Sequence, residues 1–148
     1  MRDGDEAYVV DLCDRVLNLK AKRHHRFEFL RGDPGKTGRC ARLPVDAYYE
    51  ELKLVIEYRE RQHTEPIDHF DKPEVLTCSG CHRGQQRKIY DQRRRDILPQ
   101  HGIRLIELDH SLFRQNGHKR LRRNTDQDEA VIREKLSKFL VPSPSPKS

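Results

Sequence analysis

From Asp5 to Leu19 the apolar residues Tyr8, Val9, Leu12, Cys13, Val16 and Leu19 recur at three- and four-residue steps. That is the period of an amphipathic helix. The pattern then changes: Arg26 to Leu30, RFEFL, alternates polar and apolar as a half-buried strand does, and GDPGKTG after it supplies the glycines and proline of a hairpin turn. A Walker phosphate loop is not expected there, because the glycine it requires five residues before Gly35 is Leu30. Ala47 to Tyr49 and Leu54 to Tyr58 are rich in aromatic and branched residues and flank EELK, a four-residue hairpin connection. Neither run is polar on one side, so helices are expected on both faces of the sheet.

After the proline-punctuated stretch from Thr64 to Thr77, Ile89, Tyr90, Arg93 and Ile97 share one helical face in a helix from about Arg83 to Leu98, with Pro99 and Gly102 ending it. IRLIELD follows as a short strand. Asn124 or Thr125 can cap a last helix whose apolar positions are Val131, Ile132, Leu136, Phe139 and Leu140. The predicted order is helix, three strands, helix, strand, helix. It implies one α/β domain over residues 1–140, a three-layer sandwich, with VPSPSPKS at 141–148 a disordered tail.

Counting outward from EELK sets the pairing: Tyr49 faces Leu54, Tyr48 faces Val55, Ala47 faces Ile56, and Asp46 faces Glu57. Two acids become direct cross-strand neighbours, with Cβ atoms roughly 4.5–5.5 Å apart, where like charges repel unless a cation lies between them. An arginine or a metal can fill that role, and two carboxylates with solvent and phosphate oxygens suit Mg²⁺, with Mn²⁺ as a substitute. Arg59 follows Glu57 by two residues and shares its face of a regular strand, and Gln62 and His63 come next. A competing acid-x-lysine triplet, Glu51 to Lys53, falls at the hairpin tip, away from Asp46. It reads as turn decoration.

Composition sharpens this picture. Of 148 residues, 36% are charged and 34% hydrophobic, so the core is expected to be small; the net charge of +6 favours polyanionic partners. The basic residues concentrate on the helix after residue 82, at Arg83, Arg87, Lys88, Arg93, Arg94 and Arg95, and again in HKRLRRN from His118 to Asn124. The acidic start, MRDGDEAYVV, is unlike an export signal, and the longest aliphatic run is three residues, Leu54 to Ile56. No membrane partner is expected, the default compartment is the cytoplasm, and the four cysteines are expected to stay reduced. Cys78 and Cys81 form a single CxxC, half of the usual four-ligand set, so zinc is not expected.

PVD at Pro44 to Asp46, VIEYRERQH at Val55 to His63, and YDQRRRDILPQHGIRLIEL at Tyr90 to Leu108 resemble the PD-(D/E)XK nuclease superfamily, and within it the very-short-patch-repair-like branch of small restriction-endonuclease-like domains. The resemblance implies a core of helix, three-strand antiparallel meander, helix and strand, and a metal-dependent DNA endonuclease that hydrolyses phosphodiesters. On that reading Asp46 and Glu57 are the metal ligands and Arg59, Gln62 and His63 complete the catalytic site. Asp91 with Arg94 or Arg95 falls on the following helix, and Arg83, Arg87, Lys88, Arg94 and Arg95 contact DNA. Glu6, Asp11 or Asp14 of the first helix is the further acid, the sequence not choosing among them. A nuclease of this size is expected to cut both strands as a homodimer. Arg59 stands where the superfamily has lysine. Arginine stays protonated, so it can stabilise charge on a phosphate but cannot act as a base. Two other readings follow from that departure and from the CxxC: a catalytically silent nucleic-acid-binding module of the same fold, and a small zinc-stabilised DNA-binding or interaction protein.

Overall fold

A computed structural model describes residues 4–35, 38–60, 83–113, 121 and 123–140. Helix α1 (Asp5–Leu17) carries Asp5 and Glu6 in its first turn, where acids complement the helix dipole, and stops at Asn18, whose left-handed backbone (φ 56°) closes the C-terminus. Strand β1 (Lys22–Pro34) then pairs antiparallel with β2 (Cys40–Tyr49), and β2 pairs antiparallel with β3 (Leu54–Arg59). Helix α2 (Arg83–Gln100) leads to β4 (Arg104–Asp109), which lies parallel to β3. Helix α3 (Thr125–Lys135) is capped by Asn124, whose side chain accepts from the Gln127 amide at 3.1 Å. The result is an α/β fold with a mixed four-stranded sheet in the order β1-β2-β3-β4. Among the described residues, no helix is long and apolar enough to cross a membrane.

The hairpin register agrees with the count made outward from EELK: Tyr49 pairs with Leu54, Tyr48 with Val55 and Ala47 with Ile56. Glu50–Leu52 form a single 3₁₀ turn, and Lys53 takes the left-handed conformation (φ 49°) that returns the chain. Strands β1 and β2 are longer than their apolar patterns suggest, because main-chain pairing continues past them to Pro34 and Cys40 around a tight turn at Gly35 to Arg39. Helix α2 runs through Pro99, two residues beyond the expected Leu98. A proline in the final turn forfeits a hydrogen bond without stopping the turn it belongs to, and Gly102 (φ 73°) ends the element.

Two cores flank the sheet. On one side α1 and α3 pack Val9, Leu12, Cys13, Ile132 and Leu136 against Tyr49, Leu54, Ile56 and Leu108. On the other, Leu98 of α2 meets Leu30, Leu43, Val45, Tyr48 and Val55. Helix α2 is further held to β1 by Tyr90, whose hydroxyl accepts from the Asp33 amide at 2.9 Å. That contact requires Gly32, since a β-carbon there would lie 2.8 Å from the Tyr90 hydroxyl and 3.1 Å from a Leu43 methyl. Gly32→Ala is expected to destabilise the fold by about 1–3 kcal/mol through this overpacking, read as a lower urea midpoint at unchanged slope. Tyr90→Phe, which removes the hydroxyl that accepts from the Asp33 amide, should cost about 1 kcal/mol.

Candidate functional site

The antiparallel ladder between β2 and β3 ends at Ala47 and Ile56, and at the next position the side chains replace the main chain. The Asp46 amide donates to the Glu57 carboxylate at 2.6 Å, and the Tyr58 amide donates to the Asp46 carboxylate at 2.8 Å. Each acid thus fills the place of a ladder carbonyl. Glu57 is only 3% exposed. Burial drives its carboxyl up to about 7, helped by the neighbouring Asp46 charge and opposed by the Asp46 amide and by Arg94 and Arg59. Burial likewise lifts Asp46 to about 6, against the Tyr58 hydrogen bond that favours its ionised form.

Along β3, Leu54, Ile56 and Tyr58 face α1 and α3, so Glu57 and Arg59 face α2 with Val55. The parallel register sets Glu107 of β4 beside Glu57. Arg59 lies between these like charges: Nε donates to Glu107 at 2.7 Å, Nη1 donates to Asp91 at 2.9 Å, and Nη1 stands 3.5 Å from Glu57. Arg59 therefore shares the face of Glu57 as expected, but its guanidinium is committed to two further acids. Arg94 reaches across from α2, donating through Nε and Nη2 to the Pro44 carbonyl at 3.1 and 3.0 Å and through Nη1 to Asp91 at 3.0 Å. Its Nε is 3.8 Å from Glu57. Arg95 grips Glu107 with Nε and Nη2 at 2.7 and 2.8 Å, which holds that carboxyl below its ordinary range. Arg93 turns the other way, to Asp33 at 2.9 Å.

Of the arginines expected along a nucleic-acid surface, Arg94 and Arg95 thus point at the sheet, while Arg87 and Lys88 are exposed on α2. Gln62, His63, Cys78, Cys81 and the side chain of Arg83 lie outside the described residues, as does most of the basic run from His118.

The other side of Asp46 is set by an irregularity in β1. Arg23 reaches Asp11 and Asp14 of α1, yet His25, two residues on, stacks on Tyr48 in the opposite layer. Between them His24 adopts φ 52°, a left-handed conformation rare for a residue with a side chain. The partner strand changes face at the same place, since Ala47 lies in the α1 core and Val45 in the α2 core. Pairs Arg23 to Ala47 and His25 to Val45 frame His24 opposite Asp46. There Glu6, His24 and Asp46 bring their donor atoms within 4.8 Å of one another. Of the three α1 acids left open by the sequence, Glu6 is the one beside Asp46. Asp11 and Asp14 are taken by Arg23, and Asp14 also accepts from the Tyr49 hydroxyl at 2.6 Å.

Sequence reasoning missed Glu107 and His24. Glu107 carried a signal of the same kind as Glu57, an acid inside an apolar strand. His24, in KRHHRF, carried none, because a left-handed residue in a strand leaves no compositional trace. No protein-family model matches the chain, and it matches no curated protein and no solved structure.

Two outcomes follow from these electrostatics. The folded protein keeps protons on Asp46 and Glu57 that an unfolded chain releases near pH 4, so the stability these two groups contribute is fully present below that value and is lost as pH rises from there through about 6 and about 7. Glu107 and Asp109, both lowered, act in the opposite direction at more acidic pH. Thermal unfolding with chelator present should show this loss as a decline in Tm between about pH 4 and about pH 7 that levels off above it, and an Asp46→Asn, Glu57→Gln double variant should flatten the slope. Removing the guanidinium in Arg59→Ala leaves Glu57, Asp91 and Glu107 short of a counter-charge and should cost about 3 kcal/mol in urea unfolding. Arg59→Lys, a single point charge unable to span Asp91 and Glu107, should restore only part of it.

Proposed function

We propose that this chain is a metal-dependent endonuclease of the PD-(D/E)XK type, hydrolysing phosphodiester bonds in DNA. The observation that carries the reading is the opened ladder: Asp46 and Glu57, on adjacent antiparallel strands, each take a main-chain amide of the other strand, with Glu6 of α1 drawn to Asp46. The strand order, with three antiparallel strands followed by a crossover helix and a parallel strand, is the order that the resemblance leads one to expect.

The donor chemistry fits a divalent cation. Carboxylates raised by burial at a sheet end, with the Asp46 charge adding to the rise of Glu57 and the Glu6 charge to that of Asp46, lose that penalty when a cation neutralises them. Asp46 and Glu57 would hold the metal, with Glu6 beside Asp46. A bound divalent cation supplies Lewis-acid polarisation of a phosphate and offsets the charge that develops on it. The chain's own contribution is orientation. The Asp46 and Tyr58 amides each fix one carboxylate oxygen, and Arg59 and Arg94 stand 3.5 and 3.8 Å from Glu57 as its counter-charges. Arg59 is a positioning residue on this geometry, because its Nε and Nη1 are bound to Glu107 and Asp91. Gln62 and His63, which follow β3 in the sequence, are the residues that the resemblance would add to the catalytic site. Arg87 and Lys88, exposed on α2, would meet the phosphate backbone, an interaction that weakens steeply with salt.

A second reading, a catalytically silent nucleic-acid-binding module of the same fold, is favoured by one specific observation: the residue in the lysine position, Arg59, is held by carboxylates and cannot serve as a base. Supercoiled plasmid incubated with Mg²⁺ or Mn²⁺ separates the two. The endonuclease nicks it, and Asp46→Asn or Glu57→Gln lowers the rate by about 10²-fold or more while DNA retention at low salt changes little. Retention without metal-dependent nicking in any of these proteins establishes the silent module.

A further inference from the structure

The donors beside Asp46 carry an inference about which metal the site takes, and it rests on the reading of Asp46 as a metal ligand. Glu6, His24 and Asp46 come from α1, β1 and β2, and their donor atoms all lie within 4.8 Å of one another. One of the three is a nitrogen. Among the described residues, His24 is the cation-capable side chain in contact with Glu6, at 2.6 Å from Nε2 to the carboxylate. The arginines of the network approach from the other side, Arg59 and Arg94 both converging on Glu57. Asp46 sits between the two groups, with one carboxylate oxygen already receiving the Tyr58 amide. The His24 side chain is 66% exposed and that of Glu6 32%, so the group opens to solvent.

We propose that His24 is the nitrogen donor of a mixed Glu6, His24 and Asp46 site, and that this nitrogen makes the site select a first-row transition-metal dication, Mn²⁺ over Mg²⁺. Mg²⁺ is a hard ion that prefers an all-oxygen octahedron and keeps several of its waters. Imidazole is a softer donor that favours transition metals. Donors about 2.1 Å from one ion lie roughly 3 Å apart when adjacent, so His24 and Glu6 need separate by only a few tenths of an ångström to share a cation. The same contact in the absence of metal is an ordinary surface ion pair, worth little.

The test measures the metal itself. Calorimetric titration of the full chain with MnCl₂ and with MgCl₂ should give Mn²⁺ bound at least about tenfold more tightly. Electron spin-echo modulation of the Mn²⁺ complex should show coupling to a histidine ¹⁴N. His24→Gly is the informative variant, since glycine accepts the left-handed backbone at that position. It should abolish the ¹⁴N coupling and weaken Mn²⁺ by about 10-fold or more, with Mg²⁺ changing less than about twofold. His24→Asn, which also tolerates that backbone, should lose the coupling too.

Equal affinity for the two metals, wild-type Mn²⁺ without ¹⁴N coupling, or coupling retained in His24→Gly would each overturn the proposal. The wild-type spectrum decides the matter even where a variant folds poorly. The nuclease reading can fail separately: Mn²⁺ bound with ¹⁴N coupling but no plasmid nicking leaves this site standing without that activity. Nicking with Mg²⁺ that is lost in Asp46→Asn, with no ¹⁴N coupling, leaves the nuclease standing without this site.

Discussion

Placing two carboxylates at the end of an antiparallel ladder is the constraint on which the surrounding structure depends. A buried carboxylate is costly, and two side by side cost more than their sum. The fold answers by giving each acid a main-chain amide from the opposite strand, so that no ladder donor is left without an acceptor where β2 and β3 part. The amides do not cancel the charge, and both carboxyls remain well above their ordinary range. A cation must lie close by, and Arg59 of β3 and Arg94 of α2 supply it.

This explains why α2 is basic on its sheet-facing side, where an amphipathic helix is usually apolar. Arg94 ties the Pro44 carbonyl, Asp91 and the neighbourhood of Glu57 together, and Arg95 clasps Glu107. Apolar contact from this helix comes from Tyr90, Ile97 and Leu98. Breaking one member of such a network leaves others uncompensated, whereas the whole adds little net stability over an apolar equivalent. An ionic layer between helix and sheet is thus better understood as a means of holding Glu57 in one place than as a source of stability.

On the opposite flank the decisive feature is a single backbone angle. With His24 in the left-handed region, β1 changes face between Arg23 and His25, and β2 changes face with it between Val45 and Ala47. The kink carries Arg23 to the α1 acids and leaves His24 opposite Asp46, beside Glu6. Local irregularity in a strand commonly re-aims a side chain next to a site, and this one joins three elements at one carboxylate.

Local chemistry was enough to read the order of elements, the EELK turn and the β2 to β3 register from the chain, because a short hairpin leaves one way to pair and the apolar positions on both sides agree with it. Asp46 and Glu57 were therefore legible as neighbours before any coordinates. Other parts of the site were not. Glu107 becomes a neighbour of Glu57 only through a parallel pairing reached by a long crossover, whose register no count along the chain can set. Arg94 and Arg95 read as a surface charge run, since a helix reveals which way it faces only once something packs against it. The choice of Glu6 over Asp11 and Asp14 depended on how α1 lies across the sheet, and His24 on a backbone angle that its neighbours in sequence do not demand. Sequence determined what nearest neighbours along one hairpin must do; tertiary structure decided which distant charges meet, because long-range proximity is set by the packing of helices on the sheet and not by spacing in the chain.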